Sequence, residues 1–437
     1  SDETGEQELV LLDARGRTPP RRLTNQGRGW LFPPIWSPDG QRLAYADLTM
    51  TLYLVDVASG AVTTVDHSPV WEITEYAFSP DGKWLAYTKP EAEDVSSIYL
   101  YDIAAGRAVA ITDTFTDDTN PVWDPEGRFL YFLSKRTLNP LLSERDFEHI
   151  ITQTTKPYAV LLARGTVSPF LARELQPQRT EPPKPPPTDE DEEDGAEPPK
   201  PPPPPPGPRE LPEMTVDLDG LAQRIVGFPV PPDNYSALRA IKGKVFYMGQ
   251  PPRGLMEGRT YPGDWARPTR LHVFDFEKQK AEVFIGKLRD YTLSGDGERI
   301  AYRVDNEIIV GRTSQSPEKA KADDLDKVNP AELPLVVEPL AEWTQILAEA
   351  WRLQRDFYWV ENMAGVDWPA ERERYTRLLP RISTRTELNE LIGQMIGELG
   401  TSHTYVWGGD LETAPGIGVG LLGADLEPDP AVGALRF

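Results

Sequence analysis

The chain has no cysteine in 437 residues. This excludes disulfides, thiolate nucleophiles and cysteine-ligated metals, and it fits a cytoplasmic location. Histidine is almost as scarce, with four copies. Neither a carboxylate nor a second histidine stands at metal-ligand spacing from His67, His149 or His272, so no metal site is expected. Basic residues are outnumbered 46 to 69 by acidic ones, for a net charge of −23. With no basic stripe, nucleic acid and anionic membranes are not expected partners. No apolar run is long enough to span a bilayer, and no signal peptide opens the chain. The sequence has no Gly-x-Ser-x-Gly nucleophile elbow, no P-loop and no dinucleotide fingerprint. GIGVG at 416–420 lacks the strand–helix context of a phosphate cradle, so no cofactor is expected. There is no initiator methionine either. SDETGEQELVLLDARG enters a strand-like pattern at once and GALRF at 433–437 stops in one, as expected of an interior piece of a longer chain.

What the chain does have is proline, 45 residues of it, and eleven tryptophans, enough for substantial cores. It also has a repeat. WSPDG at 36–40 leads into QRLAYA, FSPDG at 78–82 into KWLAYT, WDPEG at 123–127 into RFLYFL, and LSGDG at 293–297 into ERIAYR. The first three begin at 36, 78 and 123, which are 42 and 45 residues apart. Proline presets φ in the first three turns, and the last glycine of all four takes the backbone geometry that a Cβ disfavours. A second strand–turn element follows, as in TLYLVDVASGAVTTV (51–65) and SIYLYDIAAGRAVAI (97–111), and more loosely in RLHVFDFEKQKAEVFI (270–285). ELVLLDARGR (8–17) and PYAVLLARG (157–165) read as further copies. Four short strands per period of about 42 residues is the pattern of a β-propeller blade. Six blades or parts of blades are expected in 1–313, the first incomplete.

Proline blocks flank an acidic centre between Gln176 and Pro212. This composition buries too little apolar surface to offset the entropy of ordering, so a loop insertion inside the propeller is expected there. From Pro339 the apolar period changes from two to 3.6. Trp343, Ile346, Leu347, Ala350, Trp351 and Phe357 share one helical face. A second helix is expected over about 368–379. A third opens on a Thr384/Glu387 capping box and ends near Gly400, delivering Thr401, Ser402 and His403. The chain therefore divides into a mainly β propeller over 1–330, with the 176–212 insertion, a helical segment over 331–412, and a further piece over 413–437.

Ser402 and His403 are the candidate site. Adjacent side chains diverge, so Ser402 is a poor nucleophile for His403; it is better placed to orient the imidazole. On local pattern alone, a histidine that closes a helix is the stronger reading.

Taken together, the SPDG repeats, AEWTQILAEAWRLQRDFYW (341–359) and ELGTSHTYVWGGD (398–410) resemble the tricorn protease family of serine peptidases. GIGVGLLGADLEPDPAVGALRF (416–437) is similar to the entry into that family's PDZ-like domain. The resemblance implies an incomplete larger propeller, a first core-domain segment and a PDZ-like start at 413–437. It assigns His403 as general base and Ser402 as its partner. It also implies oligopeptide substrates, a cytoplasmic homo-oligomer (often a hexamer), and a nucleophilic serine and a glutamate from a later core segment. Without that segment, residues 1–437 are expected to be inactive. The contrasting expectation is a non-catalytic TolB-like propeller that binds proteins.

Overall fold

The computed structural model describes residues 1–3, 5–25, 27, 29–138, 140–142, 148–171, 211–252, 269–411 and 426–436. The chain forms two compact units, Ser1–Pro334 and Leu335–Phe437.

The first unit is built from five four-stranded antiparallel sheets, each in simple up-and-down order. Blade 1 comprises Ile35–Trp36, Arg42–Ala46, Thr51–Asp56 and Val62–His67. Blade 2 comprises Tyr76–Phe78, Trp84–Ala92, Val95–Asp102 and Arg107–Ala110. Blade 3 runs through Asp118–Trp123, Phe129–Ser134 and Lys156–Leu161, and its fourth strand is Ile225–Gly227. Blade 4 is Asn234–Ile241, Lys244–Gln250, Thr269–Asp275 and Lys280–Leu288. Blade 5 is Asp290–Leu293, Arg299–Val304, Glu307–Arg312 and Asp326–Val328. An N-terminal pair, Val10–Leu11 with Arg21–Arg22, is the incomplete first copy. The chain is thus mainly β, and the repeat marks the blades as expected. The expected 176–212 insertion lies outside the described residues up to 210. Those residues fall between the third and fourth strands of blade 3 in the sequence.

The repeated turn works the same way in several blades. In blade 1, Gly40 sits at φ 69° and donates to the Ser37 carbonyl. Asp39 accepts from Gln41 N, and Ser37 Oγ accepts from Arg42 N at 2.9 Å. Ser79–Asp81–Gly82 and Ser294–Asp296–Gly297 repeat the set. In blade 3, Asp124 replaces the serine, and its carboxylate accepts from Arg128 N.

Apolar cores lie between successive sheets, which is why the second strands read as nearly unbroken apolar runs. In FLYFLS (129–134), Phe129, Tyr131 and Leu133 face blade 4, while Leu130 and Phe132 face blade 2. Both faces are buried, so no polar alternation is needed.

The first strands of all five blades line one axial cavity of about 620 Å³, represented by Ile35, Ala77, Val122, Leu238 and Leu293. Neighbouring first strands are bonded to each other around it. Tyr76 donates its hydroxyl to the Pro33 carbonyl at 2.6 Å, and Trp123 Nε1 donates to the Ala77 carbonyl at 2.9 Å. Asn120 N donates to Glu75 at 2.7 Å, and Leu238 N donates to Asn120 Oδ1 at 2.6 Å. Tyr291 closes the series on the Ala237 carbonyl at 2.6 Å. Asn120 and Ala237 hold positive φ of 56° and 50° at breaks in the strand register. Burial pushes the Tyr76 phenol up to about 12, so it stays a donor at any ordinary pH.

The second unit holds helices α1 (Pro339–Phe357), α2 (Trp368–Thr376) and α3 (Arg385–Gly397) around one core. Trp343, Leu347 and Trp351 are buried and Ile346 and Ala350 partly so, as the 3.6-residue spacing implies. Phe357 departs from the expectation and is 52% exposed. At 100° per residue it points ~80° away from the mean direction of Trp343, Leu347 and Trp351. Tyr358 takes its place against the core. Trp351 and Trp368 each donate their indole N–H to the other's carbonyl, at 2.8 and 3.1 Å, joining α1 to α2. The expected PDZ-like start at 413–437 lies outside the described residues up to 425. Within 426–436 the chain makes a two-stranded hairpin, Glu427–Asp429 with Ala434–Arg436, which does not establish a PDZ fold.

Candidate active site

Helix α3 begins on the capping box read from the sequence. Thr384 Oγ1 accepts from Glu387 N, and the Glu387 carboxylate accepts from the backbone N–H of Ser383 and Thr384 at 2.7 and 3.0 Å. These bonds hold the Glu387 pKa below its ordinary value. At the other end, Glu398 accepts from Tyr375 at 2.8 Å and from Arg374 at 3.0 Å, which fixes the end of α3 to α2. Gly400 then turns the chain at φ 62°, the left-handed geometry that glycine takes without cost.

Thr401 is held next. The Tyr358 hydroxyl shares a 2.7 Å bond with Thr401 Oγ1 and lies 3.3 Å from the Leu399 carbonyl. Tyr358 follows α1, so α1 sets the height at which the chain leaves α3. Ser402 and His403 come next, both exposed. His403 has φ 63°, which costs a non-glycine residue about 1 kcal/mol and which histidine tolerates better than branched residues. The chain then returns toward the start of α3. Val406 packs on the helical core, and the Gly408 carbonyl accepts from Asn389 at 3.0 Å.

Ser402 and His403 are therefore adjacent and accessible. Among the described residues, no hydrogen bond joins them and no carboxylate bonds the imidazole. Such an imidazole has both nitrogens free for partners from outside, as a proton-transferring base requires.

Sequence reasoning missed two features here. One is the role of Tyr358. The other is an aromatic ladder formed by His403, Tyr405 and Trp407. The His403 and Tyr405 rings are 6.5 Å apart edge to face, and Tyr405 and Trp407 are 6.2 Å apart. The alternation H-x-Y-x-W was a readable signal for a strand-like segment with one aromatic face.

The other histidines sit in the first unit. His67 ends the fourth strand of blade 1, with Nδ1 3.2 Å from Thr51 Oγ1. His149 belongs to a short hairpin with Leu141–Leu142. His272 is stacked on Tyr247 at 5.6 Å, and burial pulls its pKa down. No helix among the described residues is long and apolar enough to cross a membrane.

Two family models match this chain in succession. Residues 1–314 match the family model of the tricorn protease second beta propeller domain, and residues 339–397 match the tricorn protease C1 domain. The chain is 33% identical over 433 residues to tricorn protease homolog 1 of Streptomyces coelicolor, covering 98% of this chain and 39% of that protein. It is 30% identical over 431 residues to the tricorn protease homolog of Saccharolobus solfataricus, covering 97% and 36%. A crystal structure of the tricorn protease superposes with a TM-score of 0.75 at 22% identity, over 92% of this chain and 36% of that one. The chain thus spans about two fifths of the length of the relatives it matches. With a propeller model matched over most of its length and a C1 model over residues 339–397, the chain belongs to the tricorn protease family.

Proposed function

We infer that this chain is part of a tricorn-like serine endopeptidase that degrades oligopeptides in the cytoplasm. His403 is the general base and Ser402 its orienting partner. The observation that carries this reading is His403 itself: an accessible imidazole at a position defined by the capped helix α3, Gly400 and the Tyr358–Thr401 bond. Relatives over nearly the whole chain bear the name protease, which weighs against a propeller that only binds proteins. The nucleophilic serine and its glutamate come from a core segment outside residues 1–437, so these residues alone do not complete acyl transfer.

In the reaction, His403 accepts the proton of that serine as it attacks the scissile carbonyl. It then returns the proton to the leaving amine. The axial cavity of the propeller passes extended peptides, and a PDZ-like module from 413 captures peptide strands or termini. The working form is a homo-oligomer. The test uses a longer form of the protein that includes the core segment, with a fluorogenic peptide as substrate. His403→Ala should lower kcat/KM by about 10²–10⁴-fold, whereas a fall of less than about tenfold would remove His403 from the mechanism. A serine-directed phosphonate should label the longer form and leave residues 1–437 unlabelled.

A further inference from the structure

Residues 211–218 bring the chain back into blade 3, and their course depends on several fixed points. Met214, Val216 and Leu218 pack into the core between blades 2 and 3. Met214 lies directly over Gly127, where an added Cβ would come within 2.3 Å of Met214 Cγ. Asp217 N donates to the Leu162 carbonyl at 3.0 Å, and the Asp217 carboxylate accepts from Arg164 N at 2.8 Å. With 214–218 held in this way, Leu211 and Pro212 reach the axial cavity and line it. They lie at the end marked by the turn residues Pro38, Pro80, Pro125 and Gly295.

The chemistry of this end suits what occupies it. The two charged residues that line the cavity are already engaged, because Glu75 accepts from Asn120 N and Thr88 and Arg239 lies over the Tyr291 ring. Apart from Thr74, Asn120 and Ser294, the other lining residues are apolar, aromatic or glycine, and they are rich in proline. A proline in the peptide adds no N–H that such a wall would leave unpaired, whereas any other residue adds one.

We propose that this end of the axial cavity is a binding site for an extended peptide with a large apolar residue followed by proline. Leu211–Pro212 is its internal occupant, and a free peptide enters by displacing it. The significance for peptide traffic rests on the peptidase reading above; the binding itself does not.

The test is fluorescence anisotropy with labelled Glu-Leu-Pro-Glu-Met on the intact chain and on its Leu211→Gly/Pro212→Gly variant. A tethered segment competes at millimolar effective concentration, so the variant should bind at least about tenfold more tightly. Replacing proline by alanine in the peptide should weaken binding about fivefold or more. Gly295→Trp added to the variant should abolish binding, since a Cβ there meets nothing within 4 Å and the ring has the cavity to fill. Equal affinity for both proteins, binding to neither, or binding that survives Gly295→Trp would overturn the proposal.

A second measurement does not depend on how the variant folds. A benzoylphenylalanine at position 295 of the otherwise native chain should crosslink to 211–214, and excess peptide should take over the crosslink. Crosslinks elsewhere, or no transfer to the peptide, would also overturn it. Anisotropy and crosslinking need no peptidase activity, so a failure here is distinct from a failure of the His403 experiment.

Discussion

The two units use their polar side chains in opposite ways. In the propeller, the most informative polar groups point inward and serve the fold: Tyr76, Trp123, Asn120 and Tyr291 bond one first strand to the next around the axis. In the helical unit, the bonds at Thr384, Glu398 and Tyr358 fix the two ends of α3, and what they present, His403, has no hydrogen-bond partner among the described residues. The propeller spreads its stability over repeated, similar contacts, whereas the helical unit concentrates it in one core. Repetition tolerates local damage, and a single core does not. The cost of a lost contact should therefore differ between the units even where the chemistry is alike.

The largest expected effect follows from that concentration. Trp368→Ala removes a fully buried indole and breaks the reciprocal bonds with Trp351. It should cost the helical unit about 3–5 kcal/mol in denaturant melts. The propeller transition, followed by hydrogen exchange on its strands, should stay in place; a matching loss there would show that the units do not differ in this way.

Smaller is the effect of Tyr291→Phe, which leaves the ring packed and the Ala237 carbonyl without its donor. About 1–2 kcal/mol should be lost, read as faster exchange in blades 4 and 5 while blade 1 keeps its protection. Uniform loss over all blades would mean that the axial bonds act as one closed ring. Next comes Thr384→Ala, worth about 1 kcal/mol in the helical unit alone.

The pH dependence is the finest test. The folded pKa of Glu387 is depressed below its ordinary 4.5, so its contribution is present above that value. It is lost as pH falls through the lower folded value. The helical unit should weaken on acidification through this range, and Glu387→Gln should flatten that part of its profile. An unchanged profile would take the capping carboxylate out of the account.

Much of the fold was legible because its signals are local. Each SPDG turn carries its own proline, acceptor and glycine, and the capping box spans four residues, so both are complete within a short window. The axial bonds were not legible. Tyr76 and Tyr291 stand at the same place in their repeats, two residues before Phe78 and Leu293, but their acceptors belong to the preceding blade. Phe357 was misplaced for a related reason: helical spacing gives a direction but not where the packing partner ends. For His403, local pattern favoured a mere helix terminus. Its accessibility depends on Tyr358, 45 positions earlier, holding the chain beyond α3.

The split third blade has a consequence for synthesis. Its third strand ends at Leu161, and the strand that covers its edge begins only at Ile225. At about 5–20 residues per second, a ribosome needs several seconds to supply the missing strand. During that time KPYAVL is an uncovered β-edge, open to pairing with any other nascent chain. The stretch made in the interval is dense in proline and acid, so it cannot donate a full ladder of hydrogen bonds to that edge. That composition thus keeps the edge clear for the strand that belongs there.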